Sequence, residues 1–212
     1  YRVTLVDDIN CYNDDVCQTI EGEGGFAEYG EAFTIPEDSC HLIEFFSNDT
    51  AGNMEEIKQQ CVFVDNTPPS FFASVFQPKI ECGEGDDCEF YVTNESKITI
   101  TCSDQDPHPV DVVEKFYRIW FDGEILQDWT EYVPGGFYLN EDSHHVVEFF
   151  CQDILWNMGD AKNKTLDVDL LPPNTTKMYG EPYSTNGTHH FITTETPISL
   201  WAADQKVGVN KT

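Results

Sequence analysis

The 212-residue chain carries one stretch of text twice. His41-Leu-Ile-Glu-Phe-Phe-Ser-Asn-Asp49, then Asn53, then Val62-Phe-Val-Asp-Asn-Thr-Pro-Pro69, reappears as His145-Val-Val-Glu-Phe-Phe-Cys-Gln-Asp153, Asn157 and Leu166-Asp-Val-Asp-Leu-Leu-Pro-Pro173. Glu44 maps to Glu148, Asn53 to Asn157 and Asp65 to Asp169, all at an offset of 104 residues with no gap. A register this long means repeated modules, and the fold must be one that a module can form twice.

Each copy reads as strands. Val147, Phe149 and Cys151 alternate with Glu148 and Phe150, and Leu166, Val168 and Leu170 with Asp167 and Asp169, the period of a strand with one buried face. Proline gives no ladder donor and holds its predecessor extended, so Pro68-Pro69 and Pro172-Pro173 read as stiff linkers, 66–69 and 170–173. Between them, 70–169 reads as one complete module, a seven-strand antiparallel sandwich, with matching first strands at 71–77 and 175–181. The expected fold class is all-β, with such sandwiches strung end to end.

The outer segments read as complementary parts of a second module. Tyr1-Arg-Val-Thr-Leu-Val-Asp7 matches Phe116-Tyr-Arg-Ile-Trp-Phe-Asp122 in mid-module, yet no strand precedes it. Ile98-Thr-Ile-Thr-Cys-Ser-Asp104, the strand upstream of that twin, has its counterpart in Ile198-Ser-Leu-Trp-Ala-Ala-Asp204. The expectation is that 174–212 supplies N-terminal strands of a module that 1–65 of a neighbouring repeat or subunit completes, through a covalent or strand-donated join. An insertion, 8–25, follows the first strand where the middle module has only the short turn Asp122-Gly-Glu124.

With 39 acidic against 11 basic side chains the net charge is -28, which argues against nucleic acid, whose phosphates require clustered Lys and Arg, and against an anionic membrane surface. No run approaches the ~18 apolar residues of a membrane span. No basic n-region with an apolar core opens the chain, so it reads as a mature segment with any export signal outside it.

Eight cysteines suggest disulfides and an oxidising compartment. Cys102 shares parity with the inward Ile98 and Ile100, and Cys151 with Val147 and Phe149, so a Cys102–Cys151 bridge inside the middle module is expected. Cys40 and Cys61 have the opposite parity on two neighbouring strands and are expected to pair there. Cys11 with Cys17, and Cys82 with Cys88, each close a short polar loop; free thiols or a metal clip are the other readings, but zinc prefers a tighter CxxC knuckle.

The Tyr-Arg-Ile/Val strand, the Trp or Phe before Glu-Tyr, Glu-Phe-Phe-x-x-Asp, Asp49-Thr-Ala-Gly-Asn53 and Val-Asp-x-x-Pro-Pro together resemble the immunoglobulin-like (fibronectin III-like) repeats found in tandem in bacterial and archaeal surface proteins. The resemblance covers essentially the whole chain. It implies a sandwich fold and a place in stalks, adhesins, surface layers or fibres. The cysteines and the Gly-rich insertion depart from that pattern.

Six of the twelve asparagines, Asn48, Asn94, Asn163, Asn174, Asn186 and Asn210, stand in Asn-x-Ser/Thr, in stretches read as turns, linkers or hairpin ends where a glycan faces solvent. For a metal, Asp104, Asp106, Asp111, Asp153 and Asn157 form an oxygen-rich set suited to calcium, with Asp49 and Asp204 as the corresponding acids elsewhere; turn formation explains the same aspartates. His145 has inward parity and reads as a core residue, and the His144-His145 and His189-His190 pairs point to opposite faces. No G-x-S-x-G, HExxH or phosphate loop is present, and no cofactor or enzymatic activity is expected. Tyr29, Tyr132 and Trp129 could stack on sugars, but their repetition favours packing. The function expected is therefore structural: an extracellular, glycosylated fibre, stalk or surface layer, its copies joined head to tail with an axial period of roughly 70–80 Å at ~3.3 Å per strand residue. An adhesin or carbohydrate-binding surface module is the alternative.

Overall fold

The computed structural model describes residues 1–106, 108–110 and 112–209. Among the described residues the chain is all-β apart from a 3-10 turn (Asp8–Asn10) and one short helix, α1 (Asp14–Cys17). Its strands are β1 (Arg2–Leu5), β2 (Ser39–Phe45), β3 (Lys58–Val64), β4 (Ser70–Val75), β5 (Lys79–Glu81), β6 (Phe90–Val92), β7 (Ile98–Ser103), β8 (Val112–Phe121), β9 (Glu124–Glu131), β10 (His144–Asp153), β11 (Lys162–Val168), β12 (Asn174–Tyr179), β13 (Tyr183–Thr185), β14 (His190–Ile192) and β15 (Ile198–Ala203). Two compact units form. One gathers Tyr1–Phe72, Thr101–Phe116 and Phe150–Ala161, the other Ala73–Ile100, Tyr117–Phe149 and the residues from Lys162 onward.

The sheets are several. β1, β2 and β3 pair in that order, β4 pairs with β7, β12 with β15 and β13 with β14, while the largest sheet runs β5-β6-β11-β10-β8-β9. An antiparallel architecture was expected throughout, but β6 and β11 run parallel, Leu166 lying opposite Phe90. The largest sheet is therefore mixed. Along β10 buried and half-buried residues alternate without a break, because successive side chains on a strand point to opposite faces. Val147, Phe149 and Cys151 are the inward set, and Leu166 and Val168 of β11 are fully buried with them.

The insertion packs against the sheet and changes the cysteine pairing. Cys11 joins Cys40 and Cys17 joins Cys61, with Cα separations of 5.8 and 5.9 Å, in place of the expected Cys11–Cys17 and Cys40–Cys61 bonds. The register explains the correction. Cys40 lies opposite Phe63 and Cys61 opposite Leu42, so the two strand cysteines are diagonal rather than facing neighbours, and each bonds a cysteine of the insertion instead. The insertion then buries the face of β2 that carries Cys40, Leu42 and Glu44. Gly22 permits the closest approach: its N–H donates to Glu44 Oε2 at 3.1 Å, and a Cβ there would stand 2.1 Å from the same oxygen. Cys82–Cys88 and Cys102–Cys151 are the pairs the sequence led us to expect. Disulfides at these four places belong to a chain matured in oxidising, non-cytoplasmic surroundings. Among the described residues no helix is long and apolar enough to cross a membrane.

Candidate functional site

Within the first compact unit three aspartates converge. One carboxylate oxygen from each of Asp65, Asp104 and Asp153 lies within 4.8 Å of the other two. Asp153 ends β10 and opens a tight turn, where its Oδ1 accepts from the main-chain N–H of Leu155 and of Asn157, both at 2.8 Å, and its Oδ2 accepts from Asn157 Nδ2 at 2.8 Å. Asn157 Nδ2 also donates to the Asp65 carbonyl at 3.0 Å. Asn157 is thus the brace that ties the turn to the linker.

Asp104 follows β7 and accepts from the Gln105 and Val110 N–H groups at 3.0 and 2.7 Å. Asp65 follows β3; its Oδ1 accepts from Thr67 N–H at 2.9 Å, while its buried Oδ2 has no hydrogen-bond partner among the described residues. Asp65 is 6% exposed and Asp153 1%. Burial pushes the Asp65 carboxyl above the usual carboxylate range, and the nearby charges of Asp104, Asp153 and Asp38 push the same way. Three fixed carboxylates in one small volume repel each other unless something positive lies between them.

Of the expected metal residues, Asp104, Asp153 and Asn157 meet here. Asp106 is exposed and is not in the group, which is a correction, and Asp111 lies outside the described residues. Asp65 went unrecognised as a site residue because it marks the edge of a linker. Its recurrence as Asp169 was the signal available.

The second feature of note is a pair of unequal copies. Tyr117 stacks on Phe137 with ring centroids 4.3 Å apart and meets Tyr132 edge-on at 6.3 Å; Tyr1 stacks on Phe33 at 4.3 Å and meets Tyr29 edge-on at 6.1 Å. Arg118 pairs with Glu148 and Arg2 with Glu44, in each case with the guanidinium over an aromatic ring, Trp129 or Phe26. The local geometry repeats, but the burial does not. Tyr132 is buried and Tyr29 is exposed. Ile98 and Ile100 are 0% and 3% exposed, whereas their equivalents Ile198 and Leu200 are 54% and 58% exposed.

The same turns recur around that uncovered material. Ser96 Oγ donates to the Pro78 carbonyl and Thr196 Oγ1 to the Pro182 carbonyl. Asp49 repeats the Asp153 turn, accepting from Ala51 N–H at 2.9 Å, Asn53 N–H at 2.8 Å and Asn53 Nδ2 at 2.7 Å, but Asp49 is exposed. Asp169 and Asp204 line one groove of about 380 Å³ in the second unit, with Ile80, Val92 and Leu171 as its apolar wall.

Asn48, Asn94, Asn163, Asn174 and Asn186 are all exposed. Asn163 and Asn174 lie at the starts of β11 and β12 rather than in turns, and Asn210 lies outside the described residues. His145 is fully buried, with Nδ1 3.0 Å from the Ser143 carbonyl and its ring 5.1 Å from that of Phe121. His108, which sequence reasoning did not single out, is buried against Phe63 with Nε2 3.0 Å from Asp8 Oδ1. That bond is the main reason the Asp8 carboxyl titrates below its usual range. Comparison with protein-family models and with curated proteins gives no match.

Proposed function

We propose that the chain is a structural unit of an extracellular, N-glycosylated fibre, stalk or surface layer built from immunoglobulin-like modules. In this reading 70–169 is a whole seven-strand module, and 174–209 is part of another that needs a complement with the pattern of 1–65. A following repeat or a second copy of the chain provides it, so that units join head to tail.

The observation that carries the reading is the uncovered face of β15. Ile198 and Leu200 repeat Ile98 and Ile100, which fill a core, yet they stand open to solvent. Fully burying one such side chain contributes about 1.5–3 kcal/mol, so a face of this kind gains from being covered. On the other side, Phe33 and Tyr29 repeat Phe137 and Tyr132, but among the described residues no strand pairs with Phe33 as β7 does with Phe137. The two deficits are complementary. Exposed Asn-x-Ser/Thr sites suit a glycan coat, and the disulfides suit assembly outside the cell.

Imaging of native material tests this. The expected result is a regular polymer with one chain per axial period and continuous density from residues near 209 into residue 1 of the next unit. A monomer in which β15 packs against a different segment of its own chain would overturn the reading.

A further inference from the structure

We propose that Asp65, Asp104 and Asp153 together hold a divalent cation of the calcium type, locking the linker after β3 to the turn after β10. Two observations converge on this. Three carboxylate oxygens lie within 4.8 Å of one another, and one of the acids, Asp65, is nine-tenths buried and has an oxygen with no hydrogen-bond partner among the described residues. Oxygens bound to one calcium ion at about 2.3–2.6 Å stand no more than about 5 Å apart, so the spacing suits a shared ion.

The donor set selects the metal. No histidine or cysteine belongs to the group, which favours a hard cation over zinc or copper. Asp104 is only partly buried and leaves room for water to fill the remaining positions, and calcium tolerates that irregular mixture better than magnesium. The three carboxylates are also held in place beforehand. Asp153 is fixed by two N–H groups and Asn157, Asp65 by Thr67, and Asp104 by Gln105 and Val110.

A corollary rests on the head-to-tail reading above. Asp169 accepts from Leu171 N–H at 3.1 Å much as Asp65 does from Thr67, and Asp204 accepts from Lys206, Val207 and Gly208 N–H groups at 3.0, 3.1 and 3.3 Å. The third acid of that set is Asp49, already folded into the Asp153-type turn. Joining copies therefore completes a second cation site from Asp169 and Asp204 of one unit and Asp49 of the next.

The test uses calcium alone, titrated calorimetrically and by melting into the chelator-treated 212-residue chain, with ionic strength held by sodium chloride. The expected result is one site per dispersed chain and a Tm that rises with calcium. At about 100 times the dissociation constant the folded-to-unfolded ratio rises about 100-fold. Asp65→Asn loses both effects, and Asp160→Asn, an exposed acid outside the group, keeps them. The competing arrangement is a proton shared among the three carboxyls. A Tm indifferent to calcium, or a calcium response equal in Asp65→Asn and wild type, overturns the cation site. One ion per dispersed chain that stays at one after joining leaves the site standing and sinks the head-to-tail register.

Discussion

Ile98 and Phe137 exchange both main-chain hydrogen bonds, Ile98 N–H to the Phe137 carbonyl at 2.9 Å and Phe137 N–H to the Ile98 carbonyl at 3.0 Å. Partners of this kind have Cα atoms about 5.5 Å apart, within disulfide range. Their repeat equivalents are Ile198 and Phe33. The double variant Phe33→Cys, Ile198→Cys is expected to form an oxidised ladder of covalent multimers on a non-reducing gel, while either single variant stops at dimer. A double variant that remains monomeric under oxidation speaks against the join.

The two strands β7 and β15 should respond differently to the same change. Ile100→Asp places an unpaired charge in a filled core and is expected to cost more than about 4 kcal/mol in chemical denaturation of the isolated chain. Leu200→Asp sits on an open face and should stay within about 0.5 kcal/mol, yet abolish assembly. Equal losses in the isolated chain would mean that the β15 face is already covered.

Glu44 is almost wholly buried, and its carboxyl is held below the usual range chiefly by the hydrogen bond from Arg2. A carboxylate lowered on folding stabilises the fold above its unfolded pKa, and that contribution fades as pH falls through the lower folded value. Stability should therefore drop on acidification below about pH 4.3, the unfolded value for glutamate. Arg2→Met leaves the charge buried alone, at about 3–5 kcal/mol, and should flatten this part of the pH profile. Arg118→Met should cost less, roughly 1–3 kcal/mol, because Glu148 is partly exposed and keeps the Trp120 indole N–H at 2.7 Å.

Loop length ranks the disulfides. Cys17–Cys61 spans 44 residues and Cys82–Cys88 only 6, so chain entropy assigns about 4 kcal/mol to the first and about 2 kcal/mol to the second at 25 °C. Replacing each pair by alanine and comparing denaturation midpoints checks the order. The reverse order would show that the insertion bridges work against strain in the folded state.

Enzymatic deglycosylation of native material should lower the mass in several discrete steps, because the described sequon asparagines are all exposed. An unshifted mass on native protein would end the glycan coat.

The strands of the repeat were legible because a half-buried strand writes its period into the sequence, as β10 does from His144 to Asp153. Cys102 and Cys151 could be paired on that parity alone. The insertion cysteines could not, since the partner of Cys40 depends on a two-residue offset between β2 and β3 and on where 8–25 docks, neither of which has a local signature. The parallel pairing of β6 with β11 was hidden for a similar reason: three residues are too few to show orientation. For the acid cluster, Asp104 and Asp153 stood out by their place at strand ends. Asp65 did not, because among 39 acids only burial separates it from a turn former.

The paired bridges from the insertion also set how this polypeptide answers a pull. From Cys11 to Cys61 the backbone runs 50 residues, but the Cys17–Cys61 bond shortens the covalent route to the six steps between Cys11 and Cys17. Under tension that region can pay out roughly 20 Å instead of roughly 170 Å, at about 3.4 Å per residue. A strand of such units, loaded along its length, would keep this stretch short until those bonds were cut, and a mild reductant would let the same stretch go slack.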